Sequence, residues 1–208
     1  MAGFLASILI PCYNEAANLP ACLASLFAPE LAEECQWLII DGRSTDQTPA
    51  VARDLSGRIP NLTLIDNPLR LQAHGLNQGL RQAQGRYIIR ADAHSLYPPD
   101  YIKNLIALLK ETGAWNAGGR MKPKGQSPFQ RAVARAMSHP LGVGDARFHL
   151  CGFKGPVDTV YLGAFPAWVF ERVGPFDPAA HPNEAAELNL RIRLAGGTIF
   201  LDGAIEVA

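Results

Sequence analysis

Two side chains that suit a divalent cation lie one residue apart, directly after an apolar run. The run is RYIIRA, and Asp92 and His94 follow it. An oxygen and a nitrogen ligand at this spacing can hold a divalent ion against a diphosphate, where the ion neutralises charge on a departing nucleotide. The alternative is an ordinary surface turn, because an isolated Asp-x-His pair is not specific. The position of the pair after a predicted strand favours the metal site.

A second acidic group, Asp41, comes directly after the apolar run WLII and before Gly42. A carboxylate at this point can accept the ring N–H of a uracil-like base. Ser44 or Thr45 can cap the helix that follows, and Asp46 can support its first turn. A plain turn between a strand and a helix accounts for most of this segment, but it explains Asp41 less well.

A third polar cluster, PCYNE, follows the first apolar run of the chain. We expect Pro11 to end a strand and Glu15 to lie at the start of a helix. The alternative to a functional role is a strand end followed by a carboxylate that interacts with the helix dipole.

The segment HPNEAAELNLRIRLAGG (181–197) contains a further helical pattern that starts with a carboxylate. Glu184 is followed by Ala185, Ala186 and Glu187. Glu187 lies four residues before Arg191, so we expect these two side chains to form an ion pair on one face of the helix.

Several enzyme classes are disfavoured by the motifs that the sequence does not contain. No G-x-G-x-x-G follows a predicted strand and no G-x-x-x-x-G-K-[ST] is present, which argues against a dinucleotide oxidoreductase and a P-loop NTPase. The Ser and Cys residues show no nucleophile-elbow pattern. The 4 Cys form no C-x-x-C pair, so a zinc site is not expected and the thiols are predicted to be reduced.

The elements that must position these groups alternate between short apolar strands and helices. Strands that are apolar throughout indicate a mostly parallel sheet with helices on both faces, an α/β fold. Such sheets bind ligands at the carboxyl ends of their strands, where the polar runs PCYNE, DGRSTD, DNPLR and DAHS lie. The predicted strands span 5–10, 37–40, 61–66, 86–91 and 157–165, and the predicted helices span 15–27, 45–55, 71–85 and 98–113.

The second half of the chain has a weaker pattern. Residues 115–128 are rich in Gly, Pro and Lys, and a short amphipathic helix, FQRAVARAMS, follows. We expect the aperiodic segment 139–156 to be a lid or binding loop, or else disordered. The basic residues between 120 and 135 are expected to form a solvated face. The alternative is a contact with anionic lipid headgroups or with a lipid-diphosphate acceptor.

Length and composition indicate one soluble domain of 208 residues. The formal net charge is zero, so we do not expect nucleic-acid binding. The N-terminal apolar run is short and lacks a basic region, which predicts a buried strand and not a signal peptide. No run reaches the about 18 apolar residues of a membrane span, and we expect a cytoplasmic protein. Because the chain stops abruptly at IEVA, we expect a C-terminal truncation.

Taken together, these segments resemble the family 2 glycosyltransferases, which have the GT-A (nucleotide-diphospho-sugar transferase) fold. The resemblance is carried by SILIPCYNEAANLPACLASL, IIDGRSTDQTPAVA, NPLRLQAHGLNQGLRQAQGRYIIRADAH and NEAAELNLRIRLAGG, in the family's order. RADAHSLYPPDYI and VDTVYLGAF are most similar to the bacterial exopolysaccharide, succinoglycan-type glucosyltransferases. The resemblance implies one GT-A-like domain over 1–208, with a nucleotide-binding half (1–113) and an acceptor and sugar half (114–208).

This resemblance implies an inverting transfer from a UDP-sugar to an acceptor hydroxyl, a hexosyltransferase activity. The acceptor would be a saccharide or a lipid-linked saccharide, reached at the inner face of the cell membrane through a peripheral contact. The residues that match the nucleotide-binding positions of the family are Pro11, Tyr13, Glu15, Asp41, Arg70 and Asp92.

The resemblance also implies a metal site and a catalytic base. Asp92 matches the first residue of the family's D-x-D, and His94 replaces the second carboxylate. A neutral imidazole can still ligate Mn²⁺ or Mg²⁺, so we expect metal dependence. The family stretch that corresponds to 183–188 reads N-E-D-x-E-L, and its Asp is the expected base. Here that position is Ala185, which cannot accept a proton.

Ala185 is open to three interpretations. The chain is an active-site variant made to trap a substrate, or a natural relative that is weak or only binds, or an enzyme in which the neighbouring Glu184 acts as base. We expect sugar-nucleotide binding to be retained and transfer to be reduced. The alternative functions are transfer to a polyprenyl phosphate and nucleotide-sugar binding without catalysis.

Overall fold

A computed structural model describes residues 3–125, 127–137, 139, 147–149 and 152–208. The strands form one sheet, and the apolar runs of the first half supply its fully buried members. The strands are β1 (Ala6–Cys12), β2 (Cys35–Asp41), β3 (Leu62–Asp66), β4 (Tyr87–Arg90), β5 (Asn116–Met121), β6 (Lys154–Val157), β7 (Tyr161–Pro166) and β8 (Ile199–Val207).

The helices pack on the two faces of this sheet, except for one that has no buried residue. They are α1 (Leu19–Leu26), α2 (Thr48–Ser56), α3 (Gln72–Gln82), α4 (Tyr101–Thr112), α5 (Pro128–Ala136), α6 (Trp168–Val173) and α7 (Glu184–Leu194). The exception is α5, whose residues are all at least partly exposed. None of the described helices has the length and apolar character needed to cross a bilayer.

The sheet has the order β3-β2-β1-β4-β7-β5-β8-β6. Strands β3, β2, β1 and β4 are parallel, as the alternation of strands and helices in the first half predicts. In the second half, β7 is antiparallel to both of its neighbours, β6 is antiparallel to β8, and β5 and β8 are parallel. The mostly parallel α/β architecture is therefore confirmed, and its antiparallel pairs all involve β6 or β7.

Alternate side chains of the central strands enter two separate hydrophobic clusters, one on each face. In β1, Ile8 and Ile10 belong to one cluster and Leu9 to the other. In β2, Trp37 and Leu38 divide in the same way. Both faces of these strands are buried because helices cover both sides, which explains why their sequences are apolar at almost every position.

The second half contains strands that the sequence pattern did not predict. β5 includes Gly118 and Gly119, and their glycine-rich surroundings are more typical of a loop. A Cβ atom at Gly119 would lie 2.2 Å from the carbonyl oxygen of Ile205, and one at Gly118 would lie 2.6 Å from Cβ of Val160. The two glycines allow the neighbouring strands to approach β5 closely, so they are part of the strand and do not interrupt it.

Candidate active site

The carboxyl ends of four parallel strands meet at one edge of the sheet and surround a cleft. Cys12 is in register with Asp41 and Asp41 with Asp66, which brings the following loops together. β1 continues two residues beyond the predicted strand, because Pro11 still pairs with β2 after β4 has ended. The cleft is lined by Pro11, Cys12, Tyr13, Glu15, Ile40, Gly42, Asn67, Arg70, Gln72, Asp92 and His94.

Six of the predicted site residues therefore share this cleft: Pro11, Tyr13, Glu15, Arg70, Asp92 and His94. They come from three loops that are distant in sequence. The wall also contains Gln72, which was not predicted, and Asn67, which belongs to the predicted polar run DNPLR but was not named as a site residue. Asn67 directly follows β3 at the same sheet edge, and this position was the sequence signal that could have identified it.

Asp41 lies immediately behind the wall of the cleft, between Ile40 and Gly42. The residue is 7% exposed. Its Oδ1 accepts a 2.5 Å hydrogen bond from the Ser44 hydroxyl, and the backbone N–H of Ser44 lies 3.2 Å from Oδ2. Because a carboxylate has about four lone-pair sites, these bonds orient Asp41 and leave it capacity to accept one further N–H.

The loops after β1 and β2 are tied to each other by side-chain hydrogen bonds. Asn14 has a positive φ of 56°, and its backbone N–H donates to Ser44 Oγ at 2.8 Å. The Asn14 Oδ1 atom accepts from the Thr45 N–H at 2.8 Å. Ser44 and Thr45 thus join the two loops, and the prediction that one of them caps α2 was wrong. Asp46 does support the first turn of α2, since its Oδ1 accepts from the Thr48 N–H at 2.9 Å.

Tyr13 and Arg70 supply the exposed aromatic and cationic groups of the cleft. Tyr13 is 47% exposed, so one face of its ring is available to a ligand. Arg70 is exposed in a loop with a φ of 61°. The backbone of this loop is anchored by Asn67, whose N–H donates to the carbonyl of Asp41 at 2.8 Å. The fixed backbone therefore presents the flexible guanidinium to the cleft.

The Asp92 carboxylate is held by a buried polar cluster under the cleft. A guanidinium nitrogen of Arg90 lies 3.5 Å from Asp92 Oδ1, and both side chains are almost completely buried. The Tyr97 hydroxyl lies 2.7 Å from the backbone nitrogen of Asp92. Burial, and then the charge of Asp92, raise the pKa of Tyr161, which keeps this phenol protonated and able to donate. Sequence reasoning did not identify Arg90, Tyr97 or Tyr161 as supports of Asp92.

His94 is exposed to the cleft and oriented by Glu15. The Nδ1 atom of His94 lies 3.0 Å from Glu15 Oε1. In the neutral imidazole, a hydrogen bond to this carboxylate requires the proton on Nδ1, which leaves the lone pair of Nε2 available to a metal. Glu15 also accepts a hydrogen bond of 2.7 Å from the Asn18 amide. Glu15 therefore acts on the cleft through His94 as well as lining it directly.

The donor set of the cleft fits a divalent cation that shares its coordination with a diphosphate. Asp92 offers a carboxylate oxygen and His94 offers Nε2. Within the described residues, no group of three or more His, Cys, Asp or Glu side chains forms a complete metal cage. Mg²⁺ and similar ions commonly take one or two protein ligands and complete their coordination with substrate phosphates and water.

Glu184 and Ala185 lie at the start of α7 and do not line this cleft. Glu184 is 3% exposed, and its Oε2 atom is buried without a hydrogen-bond partner. Ala185 is half-buried. The predicted ion pair in the same helix is confirmed, with Arg191 Nη2 at 2.7 Å from Glu187 Oε2. Glu187 is therefore committed to α7, whereas Glu184 keeps an unpaired buried oxygen.

Two other features from the sequence analysis are the cysteines and the predicted lid segment 139–156. Of the four cysteines, Cys151 lies outside the described residues, and the other three are buried free thiols. Burial and then the charge of Asp41 raise the pKa of Cys12 to about 12, so this thiol is not a nucleophile. In the predicted lid segment, residues 140–146, 150 and 151 lie outside the described residues.

Comparisons with known proteins identify the family and the fold of this chain. The family model described as Glycosyl transferase family 2 matches residues 7–173. The succinoglycan biosynthesis protein ExoA of Rhizobium meliloti is 34% identical over 197 residues, which cover 93% of this chain and 59% of that protein. The chain thus spans well under two thirds of the length of this relative.

Two solved structures have the same fold. A mannosyltransferase from Pyrobaculum calidifontis, in complex with GDP-Man and Mn²⁺, superposes with a TM-score of 0.75 at 20% identity, over 100% of this chain and 58% of that chain. S. aureus TarS 1-349, in complex with UDP-GlcNAc, superposes with a TM-score of 0.71 at 16% identity, over 97% and 57% of the two chains. These likenesses establish the GT-A fold. The match of the family model over residues 7–173 shows that the chain belongs to glycosyl transferase family 2.

Proposed function

We propose that this chain is the nucleotide-sugar-binding and catalytic domain of an inverting glycosyltransferase. Its donor would be a UDP-sugar and its acceptor a saccharide or a lipid-linked saccharide. One observation carries the proposal: the loops that follow β1 to β4 converge on a single cleft. The wall of that cleft combines an aromatic ring, a guanidinium, a carboxylate and an imidazole.

The base of the donor would lie against Tyr13 and Asp41. An exposed aromatic ring can stack on a pyrimidine, and stacking of this kind typically contributes about 1–3 kcal/mol per base. Asp41 is positioned by Ser44 and would accept the N–H of the uracil ring. Because a carboxylate only accepts, this pairing favours a base that presents a ring donor. Pro11 would fix the backbone at the floor of the same subsite.

The diphosphate would lie between Arg70 and the Asp92–His94 pair. The guanidinium of Arg70 can make two parallel hydrogen bonds to phosphate oxygens. Asp92 and His94 would hold Mn²⁺ or Mg²⁺, which when bound supplies positive charge for the leaving diphosphate. Glu15 would keep the imidazole in the tautomer that leaves Nε2 free. In this arrangement the binding residues stabilise the leaving group as negative charge develops on it.

The chain lacks the expected group for one step, which is the removal of the proton from the acceptor hydroxyl. Ala185 occupies the position of the base, and a methyl group cannot take a proton. Loss of a general base lowers a rate by about 10²–10⁴, so we propose reduced transfer with donor binding retained. Glu184 would become a substitute base only if a small shift of α7 exposed its buried carboxylate. An alanine at this position would equally suit a variant engineered to trap substrate or a natural relative that only binds its ligand.

We also propose that the two halves of the chain bind different parts of the substrates and that the protein acts at a membrane. Residues 1–113 would bind the nucleotide, and residues 114–208 would bind sugar and acceptor. The similarity to a succinoglycan biosynthesis protein supports a role in building an extracellular polysaccharide. Such an acceptor would be extended at the cytoplasmic face of the cell membrane.

Calorimetric titration with UDP in the presence of Mn²⁺ tests the proposal. Replacing Arg70 by Ala removes one charge-assisted contact, which is typically worth about 1.5–3 kcal/mol, and should therefore weaken binding by about 10- to 100-fold. Arg81→Ala removes an equally exposed arginine from the far end of α3 and should leave UDP binding unchanged. An absence of UDP binding at millimolar concentration, or equal losses in the two variants, would refute the assignment of the cleft.

Two further measurements separate the alternative functions. A radiolabelled product that partitions into organic solvent would favour transfer to a polyprenyl phosphate. UDP-sugar binding without measurable transfer or hydrolysis would favour a binding-only relative.

A further inference from the structure

Helix α5 is amphipathic, and among the described α-helices it is the one whose residues are all at least partly exposed. Phe129 is 77% exposed and Val133 is 42% exposed. These two residues are four positions apart, so their side chains are neighbours on one face of the helix. Ala132 and Ala136 extend the same face, because they continue the i, i+3, i+4, i+7 pattern. The fold thus presents an apolar stripe to the surface.

The opposite side of α5 and the segment before it are strongly basic. Residues 112–144 contain five basic side chains and no Asp or Glu, in a chain whose net charge is zero. Arg120 and Lys122 are paired with Glu206. The basic residues nearest to the apolar stripe are Lys124, Arg131 and Arg135, and the last two lie four positions apart on the helix.

The first turn of α5 is held by a capping box. No residue of α5 is buried, however, and burial of side chains is what usually stabilises a helix. Ser127 and Gln130 form a reciprocal capping box, with bonds of 3.0 and 3.1 Å, which fixes the first turn. Helices of this length are marginal in water and normally gain stability by packing an apolar face. Within the described residues, no side chain of α5 is buried, so its apolar stripe gains little from such packing. A second surface that is apolar and carries negative charge would cover the apolar stripe and complement the basic side of the helix.

We propose that α5 is a membrane-contact surface that lies in the interface of a bilayer rich in anionic lipids. Phe129 and Val133 would enter the boundary between headgroups and acyl chains, and Lys124, Arg131 and Arg135 would contact lipid phosphates. A basic amphipathic helix with an aromatic residue on its apolar face has the composition of such interfacial helices. The charge complementarity selects an anionic lipid surface over a second copy of this chain, whose own α5 would repel it. The inference does not depend on the chemistry of the donor cleft.

Vesicle flotation tests this surface directly. We expect the protein to float with vesicles of phosphatidylcholine and phosphatidylglycerol but not with pure phosphatidylcholine, and we expect salt to weaken the binding. Because each basic residue near an anionic surface contributes about 1 kcal/mol, the double variant Arg131→Gln/Arg135→Gln should lower the partition coefficient on the order of 30-fold. Its matched control is Arg81→Gln/Arg193→Gln, which removes two exposed arginines elsewhere and should have little effect.

The apolar stripe has its own control. Phe129→Ser/Val133→Ser should weaken vesicle binding, whereas Leu194→Ser, which removes another exposed apolar side chain (78% exposed), should not. UDP binding should be unchanged in all of these variants, so failure of the donor proposal would be recognised separately. The inference is overturned if the anionic vesicles do not bind the protein or if the α5 variants lose no more binding than their controls. It is also overturned if α5 mediates self-association in place of vesicle binding.

Discussion

Placing a carboxylate at position 185 should increase the rate of the reaction without a large effect on the fold. Ala185 is half-buried in the first turn of α7, where the helix dipole favours negative charge by about 0.3–1 kcal/mol. The nearby Glu184 and Glu187 oppose this gain, so we expect the stability of Ala185→Asp to remain within about 1 kcal/mol of the parent. A positioned general base typically contributes about 10²–10⁴ in rate, or about 2.7–5.4 kcal/mol of activation free energy. The expected gain in rate therefore exceeds the expected change in stability.

The assay for this variant is UDP release from a UDP-sugar, with and without a saccharide acceptor. Ala186→Asp is a matched control, because it adds the same group one position later, about 100° around the helix, at an exposed site. We expect an increase of two orders of magnitude or more for Ala185→Asp and no comparable increase for Ala186→Asp. Equal rates for the parent and both variants would refute the assignment of position 185 as the site of the missing base.

The geometry leads to three further predictions. His94→Ala removes the imidazole that we propose as a metal ligand and should lower the enhancement of UDP affinity by Mn²⁺ about tenfold or more. Titrations with and without Mn²⁺ measure this enhancement, and an unchanged value would exclude His94 as a ligand. Gly119→Ala places a Cβ atom 2.2 Å from the Ile205 carbonyl oxygen and should lower the free energy of unfolding in urea by about 1–3 kcal/mol. The control Gly57→Ala, at a φ of −76° with no contact closer than 3.4 Å, should change it by less than about 0.5 kcal/mol, and similar losses in both would contradict the packing account. Because burial raises the pKa values of the three described thiols to about 11 or 12, these thiols should remain protonated at pH 8. At most one thiol, that of Cys151, should then react rapidly with Ellman's reagent in the native protein, and rapid reaction of two or more would show that the described thiols are accessible.

The first half of the fold was predictable because its sequence signals are local and agree with each other. β1, β2 and β4 are short apolar runs, and each is followed by polar residues and a helical pattern. The predicted helix starts were too early by one to four residues. α1 and α2 begin only at Leu19 and Thr48, because the polar residues before them bind to one another across the two loops.

The second half of the fold was less predictable because tertiary contacts determine its structure. β5 contains adjacent glycines, and their lack of side chains allows the neighbouring segments to approach closely. α6 and β8 were not predicted at all. Trp168 is 44% exposed and packs edge-on against Trp115. None of these contacts can be inferred from the periodicity of the sequence.

Six of the residues that line the cleft were predicted, but the contacts that support them were not. The rule that parallel strands bind ligands at their carboxyl ends located Asp41, Arg70 and Asp92. It did not reveal that Glu15 orients His94, or that Arg90 lies beside Asp92. Such supporting contacts join residues that are far apart in sequence or that lie within an apolar strand, so a pattern of residue types does not identify them.

The most direct test of the central claim is the position of UDP and Mn²⁺ in a crystal of this protein soaked with both. The account predicts density for the uracil ring beside Tyr13 and Asp41, for the diphosphate near Arg70, and for the ion at Asp92 and His94. Density for the nucleotide at any site remote from Asp41 and Asp92 would contradict the account.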